Sequence, residues 1–242
     1  MLRYTRRIAL AAFATIALAA CGSADSDTTP TTPAGDGAIV EDVMLGDANA
    51  PVTMVEYASW TCPHCAQFHA DVMPMIKRDY IDTGKVRFVF REFPTAPANI
   101  AIAGFAIGRC AGPDKYYDVL DELFERQAGI LSMVRQGDQV KAALMQIAEN
   151  HGISGEEAFD ACLVDSDIRR TISTAIGRGD AAGVNSTPTV FINGVVLEGY
   201  EWRYEDGMRA VLDEALGVAP APADETAEPA SGGDAPADGA SE

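Results

Sequence analysis

Two cysteines three positions apart, Cys62 and Cys65, enclose Pro63 and His64. They follow an apolar, β-branched run and open a stretch with helical periodicity. The first backbone N–H groups of a helix lack intrahelical partners and carry partial positive charge, so an anion is stabilised there. A thiolate at Cys62 gains from both effects, and a protonated His64 adds a neighbouring positive charge. Helix-opening C-x-x-C cysteines have thiol pKa values of roughly 3.5–7.5. A stabilised thiolate favours the dithiol form, which makes the corresponding disulfide oxidising. The chemistry this spacing offers is thiol–disulfide exchange.

Other uses of the pair fit less well. A c-type haem attachment needs His directly after the second Cys, where this chain has Ala66. A zinc site needs two further ligands; His69 supplies one at workable spacing, but no second C-x-x-C follows, so no metal is expected. A purely structural bridge between Cys62 and Cys65 closes so short a loop that it constrains the unfolded chain little. His69 itself reads as an ordinary helix-surface histidine.

Three more cysteines remain: Cys21, Cys110 and Cys162. Arg3, Arg6 and Arg7 precede an uncharged apolar run from Ile8 to Ala20, which is too short to span a bilayer and has the form of an export signal. The run ends in Leu18-Ala19-Ala20-Cys21, which resembles the lipobox of bacterial lipoproteins. That resemblance implies a signal peptide over 1–20 and a mature chain anchored by acylation of Cys21 on the periplasmic side of a bacterial membrane. The plainer alternative is a signal peptide followed by a chance Cys. With Cys21 acylated, four thiols allow three pairings. The adjacency of Cys62 and Cys65 makes them natural partners and leaves Cys110 with Cys162. The alternative for the last two is a pair of inert buried thiols.

These residues need elements to position them. The 242-residue chain is 48% hydrophobic and 22% charged, an ordinary globular composition. Its formal net charge of -18 opposes binding to phosphate backbones, so nucleic acid is not an expected partner. Residues 22–37 contain no aliphatic side chain larger than Ala and read as a flexible tether. Residues 218–242 are acidic, Pro-rich and without aromatics, the composition of a disordered tail. Between them, 38–217 is the expected folded unit. Val52–Tyr57 is a buried strand interrupted by Glu56, and Thr61–Tyr80 is a helix with Pro63 in its first turn. Val86–Phe93 is a second strand. Residues from about 97 to 182 follow helical periodicity, Thr189–Ile192 and Val195–Glu198 form a hairpin around Asn193-Gly194, and Tyr204–Leu216 closes the chain as a helix. Glu56 is either at an edge, reaching solvent, or a buried proton acceptor under the cysteine pair.

The segments from Val55 to Cys65, Phe88 to Pro94 and Gly183 to Gly194 together resemble the DsbA-type branch of the thioredoxin superfamily, over about Val40 to Leu216. The resemblance implies an α/β thioredoxin fold: βαβ and ββα units around a central sheet, with an inserted helical subdomain. It implies Cys62 as the attacking surface thiol and Cys65 as the buried resolving thiol. Pro188 becomes a cis-proline facing the disulfide, with Thr187 beside it in substrate binding, and Glu56 the buried acid. It implies no cofactor beyond a Cys62–Cys65 disulfide. The implied partners are reduced or unfolded exported polypeptides and a membrane or soluble redox partner that recycles the pair. Oxidation of substrates is the expected direction. Isomerase or reductase activity on the same fold, or a chaperone-like module without redox turnover, are the alternatives.

Overall fold

The computed structural model describes residues 42–137 and 140–218. The export signal, Cys21, the tether and almost all of the acidic tail lie outside them.

A five-stranded sheet runs in the order β1-β3-β2-β4-β5, from β1 (Met44–Leu45), β2 (Val52–Ala58), β3 (Val86–Glu92), β4 (Thr189–Ile192) and β5 (Val195–Val196). β2 pairs in parallel with β3 and antiparallel with β4, so both of its edges are satisfied. That placement explains its near-continuous apolar composition, since a central strand covered on both faces has no solvated side. β1 and β5 are two-residue edge strands, too short for period-2 alternation to reveal them in the sequence. At the β4–β5 turn Asn193 and Gly194 have φ of 49° and 83°, the left-handed values a two-residue hairpin loop requires. The Asn193 side chain also accepts from the Thr53 N–H at 2.8 Å, tying the turn to β2.

The stretch expected as one helix is broken. It divides into α1 (Pro63–Asp71), α2 (Met73–Ile76) and a π-helical turn at Lys77–Ile81. Pro74 is the cause: it has no N–H to donate to the Ala70 carbonyl, and its ring crowds that carbonyl. Between β3 and β4 lie five helices: α3 (Ala98–Ala111), α4 (Tyr116–Gln136), α5 (Val140–Asn150), α6 (Glu156–Val164) and α7 (Ser166–Ala181). A short 3-10 turn at Glu201–Arg203 precedes α8 (Glu205–Ala215). None of the helices among the described residues is long and apolar enough to cross a membrane.

Alternation along β2 sends its side chains to two different neighbourhoods. Glu56, opposite Phe90 of β3, faces α1 and α4, where His69 stacks on Phe124 with ring centroids 4.0 Å apart. Tyr57 points the other way, edge-on to Phe191 and Phe93, with α7 brought close by Gly179, where an added Cβ would lie 2.7 Å from the Phe93 ring. A buried cluster fastens β3 to the helices: Glu92 is fully buried and accepts from Arg109 of α3 at 2.6 Å and from the Tyr116 hydroxyl of α4 at 2.7 Å.

Candidate active site

The chain leaves β2 at Ala58, turns through Ser59-Trp60-Thr61, and enters α1 with Cys62 as its N-cap residue in extended conformation. Pro63 occupies the first helical position, where its fixed φ suits the helix and its missing N–H costs nothing. The turn is cross-linked by small hydroxyls. Ser59 Oγ and Thr61 Oγ1 are 2.8 Å apart, and both reach Thr95 beyond β3.

Opposite Cys62 lies the peptide bond Thr187–Pro188, which is cis. The Cys62 Sγ lies 3.5 Å from the Thr187 carbonyl oxygen, to which it donates when protonated. This contact corrects one expectation: Cys62 is not a surface thiol but is 7% exposed, with the Thr187 carbonyl against it. Cys65, one turn into α1, is fully buried. Neither is in a disulfide in this structure.

The two thiols are driven apart chemically. The Cys62 thiol is lowered to about 5. Its largest cause is a hydrogen bond from the Cys65 thiol, with burial opposing, and with the Thr187 side chain and the backbone N–H groups of Cys65 and His64 adding to it. The Cys65 thiol is pushed far up by burial, by that same bond to Cys62, and by the negative charges of Glu56 and Cys62. One sulfur is thus a thiolate and the other holds a proton and donates it in a hydrogen bond. His64 meets the Cys62 sulfur through its backbone N–H, while its side chain is exposed.

Glu56 lies beneath the pair, fully buried in the middle strand, so it does not reach solvent at an edge. Its Oε2 is 2.9 Å from His69 Nε2. Its Oε1 has no hydrogen-bond partner among the described residues. The reading of His69 as a surface histidine is therefore corrected. Its side chain is 7% exposed, paired with Glu56, and enclosed by Phe68, Phe90 and Phe124. The signal was present in the sequence: His69 lies four residues after Cys65, on the helix stripe that also carries Val72 into the core.

A residue that sequence reasoning missed is Gln127 of α4. Its amide donates to the carbonyls of Trp60 and Cys62 at 2.6 and 2.9 Å. Trp60 is itself fully buried, with its indole N–H on the Ala101 carbonyl of α3 at 2.9 Å. Two insertion helices thus hold the active turn from behind. Beside the cis-proline an open groove runs along Asn185, Ser186, Pro188, Val196, Leu197 and Tyr200. Cys110 and Cys162 lie away from this site and are joined as a disulfide between α3 and α6, with Cα atoms 5.8 Å apart. Among the described residues, no group of three His, Cys, Asp or Glu side chains is placed to hold a metal ion.

A βαβ and ββα core split by helices, with a C-x-x-C at the start of α1 and a cis-proline opposite it, defines a thioredoxin-type fold and site. The sequence model of the family described as Thioredoxin matches residues 39–214, and the chain belongs to that family. Its likeness is to the DsbA branch. A Rickettsia bellii protein named "Putative protein-disulfide oxidoreductase" is 30% identical over 176 residues, which cover 72% of this chain and 64% of that protein's length. Disulfide bond formation protein D of Bacillus subtilis is 26% identical, with 69% of this chain and 74% of that protein covered. Among solved structures, alpha-DsbA1 of Wolbachia pipientis aligns with a TM-score of 0.59 at 28% identity, covering 73% of this chain and 91% of that one. Oxidised BdbD of Bacillus subtilis aligns with a TM-score of 0.60 over 73% of this chain and 93% of that one; at 23% identity this is a likeness of fold.

Proposed function

We propose that this protein is a thiol–disulfide oxidoreductase that oxidises cysteine pairs in exported polypeptides through the Cys62–Cys65 couple. The observation that carries this reading is the Cys62 thiolate, held near a pKa of about 5 by the Cys65 thiol, Thr187 and the helix-opening N–H groups. A dithiol stabilised in this way gives up its electrons reluctantly, so its disulfide is a good oxidant. A substrate thiolate attacks Cys62 of the closed disulfide. The S–S bond breaks, and Cys65 leaves with the electron pair and takes a proton, for which Glu56 is the nearby acid. A second substrate thiolate then attacks the substrate sulfur of the mixed disulfide and releases Cys62 as a thiolate. The substrate loses two electrons and gains a disulfide. Pro188 and Thr187 offer backbone to the substrate chain across the groove. An external redox partner must reoxidise the pair.

Export and a lipid anchor at Cys21 belong to the same reading. They rest on the basic start, the apolar run and the Leu18–Cys21 sequence. An intact mass of the membrane-bound protein that starts at an acylated Cys21 supports it; a soluble, unmodified N-terminus rejects the anchor.

Two experiments test the redox reading. Cys65→Ser expressed in an exporting host should accumulate mixed disulfides on Cys62, and Cys62→Ser should accumulate none. The potential of the Cys62–Cys65 couple should lie well above that of thioredoxin, about -270 mV. A value at or below it replaces the oxidant with a reductase, and an inert pair leaves only a binding module.

A further inference from the structure

The exchange reaction proposed above uses Glu56 but leaves its partner without a task. We infer that His69 is the outer station of a proton relay that loads Glu56 from solvent on the α4 side of the molecule, so that Cys65 receives its proton through Glu56 from His69.

The geometry is specific. Glu56 spends its two oxygens differently: Oε2 is 2.9 Å from His69 Nε2, and the buried Oε1 has no hydrogen-bond partner among the described residues. The Glu56 charge acts on the Cys65 sulfur. A buried carboxylate with one oxygen committed to an imidazole and the other unengaged is arranged to pass a proton between them. Cys65 itself cannot exchange protons directly with water, because it is fully buried. His69 can serve it because the two lie one helical turn apart on the buried stripe of α1.

The outer end of the route is equally defined. The aromatic enclosure of Phe68, Phe90 and Phe124 closes most of the His69 ring. Two ionisable groups face the ring: Glu56 from β2 and Asp121 from α4. Asp121, whose carboxyl is raised by burial and countered by the charge of His69, stands on the outer side, with Lys77 of the π-helical turn acting on it in turn. It lines an open depression with Asp118, Glu122 and Glu125. Protons enter there, through a depression that shares no residue with the cis-proline groove. Substrate and proton therefore reach the pair by separate routes.

Atoms and charge balance over one turnover. An attacking thiolate forms a bond to Cys62, and Cys65 leaves with the electron pair of the broken S–S bond. Glu56 passes a proton to Cys65, His69 Nε2 refills Glu56, and solvent beside Asp121 refills His69. When the second thiolate resolves the mixed disulfide, Cys62 departs as a thiolate and needs no proton.

The test follows reduction of the oxidised full-length protein by dithiothreitol, using rapid acid quench and mass spectrometry across pH 4.5–8.5. Dithiothreitol as electron donor keeps the test separate from the polypeptide reading, which can fail while the relay stands. His69→Leu and His69→Gln are compared. Glutamine still donates to Glu56 and preserves the scaffold, but it carries no titrating proton. The relay requires that both variants lose about 10²-fold in the rate of disulfide opening, the range expected of a lost acid–base group. It also requires that the wild-type rate, after correction for the thiolate fraction of dithiothreitol, depends on pH and that both variants lose this dependence. A wild-type rate and pH profile in His69→Gln overturns the relay and makes His69 a scaffold for Glu56. A full thiolate-corrected rate in both variants overturns it as well.

Discussion

The Gln127 amide, 2.9 Å from the Cys62 carbonyl and 2.6 Å from that of Trp60, joins the longest helix of the insertion to the first residue of the redox pair. Both carbonyls belong to a turn buried under α3 and α4, and Gln127 is itself only 6% exposed. An apolar replacement leaves the buried Trp60 carbonyl without this donor, at about 1–3 kcal/mol, while the Cys62 carbonyl keeps the Ala66 N–H at 3.0 Å. Gln127→Leu should therefore lower stability by about 1–3 kcal/mol in urea denaturation and slow exchange at Cys62. Gln127→Glu, which cannot donate when ionised, should be worse. A Leu variant with wild-type midpoint and rate removes the helical clamp from the account.

Reduced protein should grow more stable than its Cys62→Ala variant as pH rises. The folded Cys62 thiol titrates near 5, below its ordinary value near 9, so the unfolded chain binds more protons between those values. The stabilisation is complete above the unfolded value and is lost as pH falls through about 5. By pH 7 it amounts to about 2–3 kcal/mol. Urea midpoints of the two reduced proteins at pH 4, 5.5 and 7 measure it. A gap that stays constant over this range contradicts the thiolate.

Gly104 of α3 lies against the Trp60 indole, and a Cβ there would collide with Trp60 Nε1 and press on Leu123 at 3.1 Å. Trp60 cannot easily give way, since its indole N–H is held by Ala101 at 2.9 Å. Gly104→Ala should destabilise by about 1–3 kcal/mol through overpacking. Gly129 on α4 has open space around it and serves as the control, where the same change should raise stability slightly. Thermal unfolding of both variants decides; equal effects would mean that the Trp60 pocket is not tight.

The Cys110–Cys162 bridge spans 52 positions and ties α3 to α6 within the insertion. The chain-entropy model assigns a loop of that size about 4 kcal/mol. Cys110→Ser with Cys162→Ser should lower stability by up to that amount while leaving the Cys62 titration in place, because the bridge touches neither active thiol. Absorbance of the thiolate near 240 nm and denaturant midpoints separate the two effects. Non-reducing peptide mapping that recovers both as thiols rejects the bridge.

Much of this was legible because it is local. Pro63 before a helical stripe placed Cys62 at the N-cap, Asn193-Gly194 marked its hairpin, and helical periodicity from about 97 to 182 marked the insertion. What escaped depends on contacts between distant segments. Gln127 sits in an amphipathic helix, where a polar residue ordinarily faces water, and only the approach of α4 to the active turn gives its amide two carbonyls. His69 was misread for a similar reason: polarity suggested exposure, while its phase relative to Cys65 pointed inward. Pro74 was a local signal passed over. The cis bond at Ala96–Pro97 has no marker in the sequence, since most X–Pro bonds are trans.

The hydrogen bond between Cys65 and Cys62 also decides how protons accompany electrons. Above about pH 5 the open pair holds one proton rather than two. Closing it to a disulfide then releases two electrons but a single proton. One proton per two electrons changes the equilibrium tenfold per pH unit, a potential slope of about 30 mV. A small dithiol with two ordinary thiols moves by about 59 mV over the same interval. The oxidising strength of this pair is thus half as sensitive to the acidity of its surroundings as that of the free dithiols it meets. As the medium acidifies toward pH 5, the driving force for drawing electrons from such dithiols falls by the difference, about 30 mV for each unit.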